Sequence, residues 1–162
     1  MEIRPGRDGD AAAVAALWTE GYSGRGDAEG RQAPYAEVEY ADSARAGQVF
    51  VAEQDGEVVG VIVFFPPGTA TWQVGRGEAG LSRLVVGESA RGRGVGRALV
   101  ELCTAQAREA GAEAIVLWSR PYQRDAHRLY ESSGYRRAPQ RDSRDADGAR
   151  WVFTLDLTPA PR

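Results

Sequence analysis

The segment RGRGVGR, residues 91–97, brings three glycines and three arginines together directly after the apolar run LSRLVV. Gly92, Gly94 and Gly96 allow backbone N–H groups to approach a ligand without interference from a Cβ atom, and the arginines add positive charge. A helix-forming sequence follows, and the start of a helix leaves its first N–H groups unpaired and partly positive. We therefore predict a phosphate-binding site, suited to a diphosphate because successive amides can each donate to a different oxygen.

Three other interpretations of this segment remain open on its residues alone. RGRG occurs in low-complexity RNA-binding tracts, although such tracts repeat and no helix follows them. A Rossmann turn also places glycines before a helix, but the spacing here is GxGxG rather than GxGxxG, and the segment follows the fourth strand rather than the first. The third alternative is a structural turn that binds nothing.

The elements that position this segment can be predicted from periodicity and from turn residues. Helices are predicted at 11–22, 34–45, 94–110 and 124–132, and strands at 2–4, 49–54, 57–65, 79–86, 114–119, 135–137 and 151–157. Asp10 is predicted to cap the first helix, Gly111 to end the third, and Asp55-Gly56 to form a tight hairpin turn. The polar stretch 138–149 is predicted to be a loop. This order predicts an α/β protein with a mixed sheet, antiparallel in its first half and followed by a β-loop-helix-β crossover.

Length and composition limit the class of protein. A chain of 162 residues has the size of one domain, so we predict a single domain over 1–158 and a tail at 159–162. No apolar run approaches the ~20 residues of a membrane span, and MEIRPGRDGD lacks the apolar region of a secretory signal. The single cysteine fits a reducing compartment, so we expect a cytoplasmic protein without a membrane partner.

Charge excludes further classes. The net charge of −3 argues against a nucleic-acid partner, although a local basic patch remains compatible with it. All 20 basic residues are arginine. Without lysine the chain can have no Walker-type phosphate loop, no Schiff base and no lysine nucleophile.

A second motif, AHRLYESSGY at residues 126–135, begins on the short helix after the next strand. With this motif the sequence resembles the GNAT family of acetyl-CoA-dependent N-acetyltransferases. The family signature Q/R-x-x-G-x-G/A is matched by residues 91–96, LSRLVV resembles the family's fourth strand, and A-x-x-LY-x-x-x-GY resembles its A-x-x-LY-x-x-x-GF motif. The resemblance covers residues 3–157. It implies a GNAT-like acyl-CoA N-acyltransferase fold, with a mostly antiparallel mixed sheet splayed between strands four and five and about four flanking helices.

The same resemblance implies acetyl-CoA as cosubstrate and no metal. It implies a β-bulge in the fourth strand, beside which the main chain binds the pantetheine arm as an added strand. Gln123 stands where many relatives have asparagine and would still reach the pantetheine. The residues implied to hold acetyl-CoA are Leu84, Val85, Val86, Arg91, Gly92, Arg93, Gly94, Val95, Gly96, Arg97, Gln123 and Tyr130.

The implied chemistry is direct attack of a primary amine, on a small molecule or a peptide, on the acetyl thioester. An alkyl amine with a pKa near ~10 is mostly protonated at pH 7, so a base or a water chain must remove a proton. Tyr130 matches the family tyrosine that protonates the departing thiolate; the alternative is an aromatic residue that only packs beside Leu129. On the same fold, a non-catalytic acyl-CoA-binding sensor is the alternative function.

The sequence identifies no base clearly. Glu78, before the fourth strand, could face the acceptor, although a glutamate there is commonly just solvated. Glu88 is a weaker candidate. His127 is the one histidine, and we expect it on the surface or beside the cofactor. Cys103 falls in the apolar stripe of the long helix and is predicted to be core.

The acceptor pocket is implied to form from the loop between the first two helices, strands four and five, and the loop before the last strand. Acidic and aromatic residues there would suit a cationic amine, and would equally suit a solvated helix face. These residues are Tyr22, Asp27, Glu29, Tyr35, Glu37, Glu39 and Tyr40. The polar stretch 139–148 could be a mobile flap or a plain loop. Relatives often dimerise, so a homodimer is open, although nothing in these residues fixes an interface.

Overall fold

The computed structural model of the protein describes residues 1–22, 35–69 and 74–158. The chain forms two compact units, the first made of Met1–Phe64 with Ser82–Leu102 and the second of Phe65–Leu81 with Cys103–Arg162. The prediction of a single domain over 1–158 stays a prediction, and the tail at 159–162 lies outside the described residues.

The sheet of the first unit is antiparallel. Strand β1 (Glu2–Pro5) pairs with β2 (Gln48–Gln54), and β2 pairs with β3 (Glu57–Phe65). The β2–β3 turn is made by Asp55 and Gly56, whose φ angles are 52° and 80°. Positive φ at both turn residues is what a two-residue hairpin requires, and the predicted hairpin is confirmed.

Two helices lie between β1 and β2 in the chain: α1 (Ala11–Tyr22) and α2 (Glu37–Ala46). The prediction that Asp10 caps α1 is wrong in detail, because its carboxylate accepts from the Arg7 N–H (2.7 Å) and caps the 3-10 turn before the helix. Helix α2 begins at Glu37, three residues later than predicted, because Tyr35 and Ala36 are not helical. Pro34, the predicted first residue, lies outside the described residues. The Glu39 carboxylate accepts from the Ala36 N–H (2.8 Å), which fixes the start of α2.

Two elements pass from one unit to the other along the chain. Strand β4 (Glu78–Val86) begins in the second unit and ends in the first, and helix α3 (Val95–Glu109) begins in the first and ends in the second. Gly111 follows α3 with φ 76°, which confirms the predicted C-cap.

The second unit contains the parallel pair. The start of β4 pairs with β5 (Ala114–Ser119) from Glu78↔Ala114 to Gly80↔Val116, and within the described residues the parallel register ends there. Strand β5 continues along β8 (Gly148–Asp156), which is antiparallel to it. Helix α4 (Arg124–Ser132) follows β5, and the short strand β6 (Arg136–Arg137) pairs with β8. The mixed sheet and the early end of β4–β5 pairing confirm the predicted fold class.

The stretch 138–149 is an ordered hairpin, not the predicted loop. A 3-10 turn leads into β7 (Ser143–Asp145), which pairs with the start of β8. Arg137 donates to both oxygens of Asp142 (2.8 and 2.7 Å), and Arg120 donates to both oxygens of Asp145 (2.9 and 2.8 Å). These two arginines hold the hairpin through its carboxylates, so the expectation of a plain loop is wrong, and the mobile flap stays a prediction. No alternating apolar pattern marks β7, which is why the sequence did not predict it.

Candidate active site

The glycine-arginine segment forms the turn that begins α3. Gly92 and Gly94 have φ angles of 76° and 82°, in the region that strongly favours glycine. A Cβ atom at either position would have no neighbour within 4 Å, so the backbone of the turn borders open space. The side chains of Arg91, Arg93 and Arg97 are exposed. The turn therefore presents backbone and positive charge outward together.

The start of α3 is held in place by packing within the first unit. A Cβ built on Gly60 of β3 would lie 2.9 Å from Val95 Cγ1 and 3.2 Å from Leu99 Cδ1. Because glycine is present, the first turn of the helix lies directly on the strand. The first hydrogen bond of the helix runs from the Ala98 N–H to the Gly94 carbonyl (3.0 Å), and the N–H groups before it form the partly positive end.

Arg91 already has a local role. Its Nε donates to the Val86 carbonyl at the end of β4 (3.0 Å), and its Nη2 lies 3.9 Å from Glu20 Oε1. Its side chain thus joins the glycine turn to β4 and α1. Among the three arginines of the turn, Arg91 is therefore the one whose side chain is bonded to the ends of β4 and α1.

Strand β4 contains one residue in the left-handed region. Arg83 has φ 54°, which is unusual for a residue with a side chain inside a strand. The indole N–H of Trp18 donates to the Arg83 carbonyl (3.1 Å), which supports this conformation. The irregularity lies directly before Leu84–Val86, where the resemblance places the pantetheine contacts. No sequence signal identifies Arg83 as the residue that adopts it, since neither glycine nor asparagine occurs there.

Gln123, in the second unit, has its amide oxygen occupied. Gln123 Oε1 accepts from Ser119 Oγ (3.0 Å) and from the Arg120 N–H (2.9 Å). These bonds orient the amide at the N-terminus of α4 and leave its NH2 group as the part suited to a cofactor carbonyl. The contact with the cofactor stays a prediction.

Tyr130 is buried on the inner face of α4, with 6% of its surface exposed. Its ring packs against Tyr135 and Phe153, each with ring centroids 5.8 Å away. Burial raises the pKa of the Tyr130 phenol above its usual value of about 10. The hydroxyl therefore stays protonated at physiological pH and can act as a hydrogen-bond donor.

Glu78 is bound in an ion pair. Both of its carboxylate oxygens accept from Arg141, and Oε1 also accepts from the Gly75 N–H (2.7 Å). The hydrogen bonds from Arg141 outweigh partial burial and lower the pKa of Glu78. A carboxylate held in this way is a poorer proton acceptor, so the geometry gives no support to Glu78 as the base.

His127 and Cys103 are both buried. Of the two positions expected for His127, the surface is wrong, because it is 8% exposed and packed on Trp151 and Phe153 with ring centroids at 5.6 and 5.0 Å. A position beside the cofactor stays a prediction. Its Nε2 lies 3.2 Å from Ser119 Oγ, and desolvation lowers its pKa, which favours the neutral ring. Cys103 is core as predicted, and burial raises the pKa of its thiol to about 12.

The residues implied to line the acceptor pocket separate in the structure. Tyr35 packs its ring against Trp18 and Tyr22, with ring centroids at 5.9 and 5.8 Å. Tyr40 is core, 4% exposed, with its hydroxyl donating to the Arg7 carbonyl (2.8 Å), so its placement in the pocket is wrong. Glu37 and Glu39 lie in the first turn of α2. Asp27 and Glu29 lie outside the described residues.

The described ranges contain no cluster of three or more metal-ligating side chains, and none of their helices has the length and apolarity to cross a membrane.

Comparison with known proteins identifies the family. The Acetyltransferase (GNAT) family matches residues 11–135. The N-acetyltransferase YhfO of Bacillus subtilis is 30% identical over 139 residues, covering 83% of this chain and 89% of that protein. N-acetyltransferase family 8 member 2 of Rattus norvegicus is 34% identical over 91 residues, covering 56% of this chain, and the match spans 39% of its own length.

A similar fold is found in the structure of yncA from Salmonella typhimurium with its cofactor acetyl-CoA. That structure superposes with a TM-score of 0.75 at 19% identity, covering 100% of this chain and 96% of the other. The chain belongs to the GNAT family of acetyltransferases.

Proposed function

We propose that the protein transfers the acetyl group of acetyl-CoA to a primary amine of a small molecule or peptide. The observation that carries this proposal is the turn at residues 91–97. Two left-handed glycines border open space there, exposed arginines flank them, and the N-terminus of α3 follows. Family membership supports acetyl-CoA as the cosubstrate.

The positive charge of the turn and its left-handed glycines support the binding of a pyrophosphate. Backbone N–H groups of residues 92–97 would donate to the phosphate oxygens, and Arg93 and Arg97 would add charge. Hydrogen bonds to a charged group contribute about 1.5–3 kcal/mol each. Arg91 contributes chiefly by fixing the turn, because its Nε is bonded to the Val86 carbonyl.

The pantetheine arm is assigned to the main chain of Leu84, Val85 and Val86, after the irregularity at Arg83. Beyond an irregularity in a strand, the backbone groups of that strand can bond an added extended chain. The NH2 group of Gln123 is the proposed side-chain contact, since its Oε1 is already bonded.

The reaction requires one proton to leave the amine and one hydrogen bond for the leaving sulfur. The neutral amine nitrogen attacks the thioester carbonyl carbon, the carbon–sulfur bond breaks, and the nitrogen loses its proton as the amide forms. Tyr130 is the proposed acid. Its raised pKa keeps the hydroxyl protonated, so that it can donate a hydrogen bond to the departing thiolate, and the sulfur takes its final proton from Tyr130 or from water, which carries the proton released by the amine.

Water is the proposed carrier of the proton that leaves the amine. Glu78 bonds Arg141 through both oxygens, and His127 is enclosed by aromatic rings. Neither arrangement provides an accessible side chain with a pKa near 7.

A non-catalytic acyl-CoA-binding sensor is the second candidate. The ion pair that occupies Glu78 favours it, because a protein that only binds acyl-CoA has no need of a base. Release of free thiol from acetyl-CoA in the presence of amines separates the two functions: an enzyme releases thiol and a sensor does not.

The first experiment is a thermal-shift titration with acetyl-CoA on the wild type and on the double variant Arg93→Glu/Gly94→Glu. A ligand at 100 times its Kd adds about 2.7 kcal/mol to the free energy of unfolding, which raises the melting temperature by several degrees. The matched control is Arg108→Glu/Gly111→Glu, at the other end of α3. Gly111 has φ 76° and open space, as Gly94 has, so both double variants carry a similar backbone strain.

The proposal expects a rise for the wild type and the control and none for the Arg93/Gly94 variant. If the wild type does not respond, acetyl-CoA is not its ligand and the proposal is wrong. If both double variants respond equally, the binding site lies elsewhere than residues 91–97.

A further inference from the structure

One arginine of the described chain lacks the carboxylate that every comparable arginine has. Among the described residues, the arginines that are not exposed are Arg4, Arg83, Arg120, Arg137, Arg141 and Arg150. Arg4 pairs with Asp10 and Glu53, Arg120 and Arg150 with Asp145, Arg137 with Asp142, and Arg141 with Glu78. Arg83 forms an ion pair with none of the described carboxylates.

Aromatic rings hold the Arg83 guanidinium instead. Its central carbon lies 4.9 Å from the ring centroid of Trp18 and 5.2 Å from that of Tyr35. Its only polar side-chain contact with the described residues is Ser43 Oγ, 3.5 Å from Nη1. Tyr35 is itself tied to α1, because its N–H donates to Thr19 Oγ1 (2.9 Å). The guanidinium is thus held between aromatic rings, and within the described residues only Nη1 of its five-donor group is bonded.

A half-buried guanidinium that pairs with none of the described carboxylates is suited to an anion. Its aromatic neighbours contribute cation–π contacts, and its N–H donors match two oxygens of a carboxylate or phosphonate in a bidentate arrangement. The left-handed backbone at Arg83 costs free energy, and such strain concentrates at functional sites. Arg83 directly precedes Leu84–Val86, the proposed pantetheine contacts, so the proposed anion site adjoins the proposed cofactor site in the chain.

We propose that Arg83 binds an anionic group of the acceptor, so that the acceptor is an amine that also carries a carboxylate or a phosphonate. This inference rests on the proposed acetyltransferase function and adds the acceptor's chemical class. Trp18, Tyr35 and Ser43 are positioning residues, which hold the guanidinium without contacting the reacting atoms.

The test compares acceptors that differ only in the anionic group. A panel of amino acids is assayed for thiol release from acetyl-CoA against the C-terminal amide of each, and aminoalkylphosphonates test the second anion. The comparison is biased against the proposal, because loss of the carboxylate lowers the amine pKa and leaves more of the nucleophilic form. The variants are Arg83→Gln and Arg83→Lys, with Arg45→Gln as the control on an exposed arginine of α2.

The proposal expects the wild type to prefer the acid of at least one pair. Arg83→Gln should lower kcat/KM for that acid by about 10- to 100-fold, the value of a charge-assisted hydrogen-bond pair, and leave kcat/KM for its amide within about threefold. Arg83→Lys should lose less than Arg83→Gln, because it keeps the charge and loses the bidentate geometry. Arg45→Gln should match the wild type.

Direct binding separates this inference from the acetyltransferase proposal. Saturation-transfer NMR of the same acids and amides, without acetyl-CoA, measures recognition of the anion even if no acetyl group is transferred. If no acid binds or reacts better than its amide, or if Arg83→Gln leaves that preference intact, the inference is wrong. Acetylation of acids and amides at equal rates would overturn it and leave the acetyltransferase proposal standing.

Discussion

Arg141 donates to both carboxylate oxygens of Glu78, at 2.9 Å in each case, and joins the 3-10 turn before β7 to the first residue of β4. Both side chains are partly buried, and the Gly75 N–H also donates to the carboxylate. This arrangement stabilises the second unit and conflicts with a role for Glu78 in proton transfer.

Glu78→Gln should therefore affect stability more than catalysis. Loss of the charged partner leaves Arg141 poorly paired, which should lower the free energy of unfolding by about 1–3 kcal/mol. We expect kcat/KM to change by less than about threefold, as for a residue that does not transfer the amine proton. Urea denaturation and thiol release measure the two effects.

Arg141→Gln is the matched control for this prediction, because it breaks the same ion pair and keeps the carboxylate. Equal loss of stability in both variants, with kcat retained, supports the structural role. A fall in kcat of a hundredfold or more in Glu78→Gln alone, with the acid limb of the pH profile removed, would identify Glu78 as the base after all.

The second unit should lose stability at acid pH. Arginine partners lower the pKa values of Glu78, Asp142 and Asp145. A carboxylate with a lowered folded-state pKa stabilises the protein above its unfolded pKa, near 4, and that contribution is lost as the pH falls through the folded value. We therefore expect these groups to leave the urea midpoint unchanged between pH 7 and about pH 5. Below about pH 5 the midpoint should decrease as the pH is lowered.

Asp145→Asn tests the origin of the pH dependence. Asp145 accepts from Arg120 and Arg150, so the variant should be less stable at pH 7 by about 1–3 kcal/mol. Because the titrating group is removed, its urea midpoints should fall less steeply between pH 5 and pH 3 than those of the wild type. Parallel curves for the two proteins would mean that other groups cause the acid transition.

Much of the fold could be predicted from the sequence, because local signals specify it. The Asp55-Gly56 hairpin, the Gly111 cap and the apolar stripe of α3 each depend on residues close in the chain. Features that depend on distant partners could not be predicted. β7 is held by Arg120, 25 residues from Asp145, and the left-handed Arg83 is supported by Trp18, 65 residues away.

The candidate site likewise has a part that could be predicted from local sequence and a part that could not. The turn at 91–97 could be predicted because glycine spacing carries the geometry, whereas the state of each side chain could not. Tyr40 was placed with the acceptor because an aromatic residue near acidic ones suits a cation, yet its hydroxyl bonds the Arg7 carbonyl in the core. Burial and partner choice decide such roles, and they are set by packing across the sheet.

Tyr130→Phe should lower kcat and leave acetyl-CoA binding intact. The variant keeps the ring that packs on Phe153 and removes only the hydroxyl proposed to donate to the sulfur. Loss of a general acid costs about 10²- to 10⁴-fold in rate. Tyr135→Phe is the control, since Tyr135 contacts the Tyr130 ring and has no proposed role in the reaction. Steady-state thiol release and the thermal shift with acetyl-CoA are the measurements; if kcat is unchanged in Tyr130→Phe, Tyr130 serves only in packing.

Gly60→Ala should weaken acetyl-CoA binding through the packing of α3 on β3. The added methyl would lie 2.9 Å from Val95 Cγ1 and 3.2 Å from Leu99 Cδ1, both buried in the first turns of the helix that follows the glycine segment. Overpacking of this kind costs about 1–3 kcal/mol, and we expect relief of the clash to move the helix start away from the strand as well as to reorient the Val95 side chain. The Kd for acetyl-CoA should therefore rise along with the loss of stability, and calorimetry can measure both.

Gly9→Ala is the control, because a Cβ at Gly9 meets nothing within 4 Å. If Gly60→Ala loses stability and binds acetyl-CoA as tightly as the wild type, the position of the α3 N-terminus does not determine cofactor affinity, and the arginine side chains of the turn must account for it.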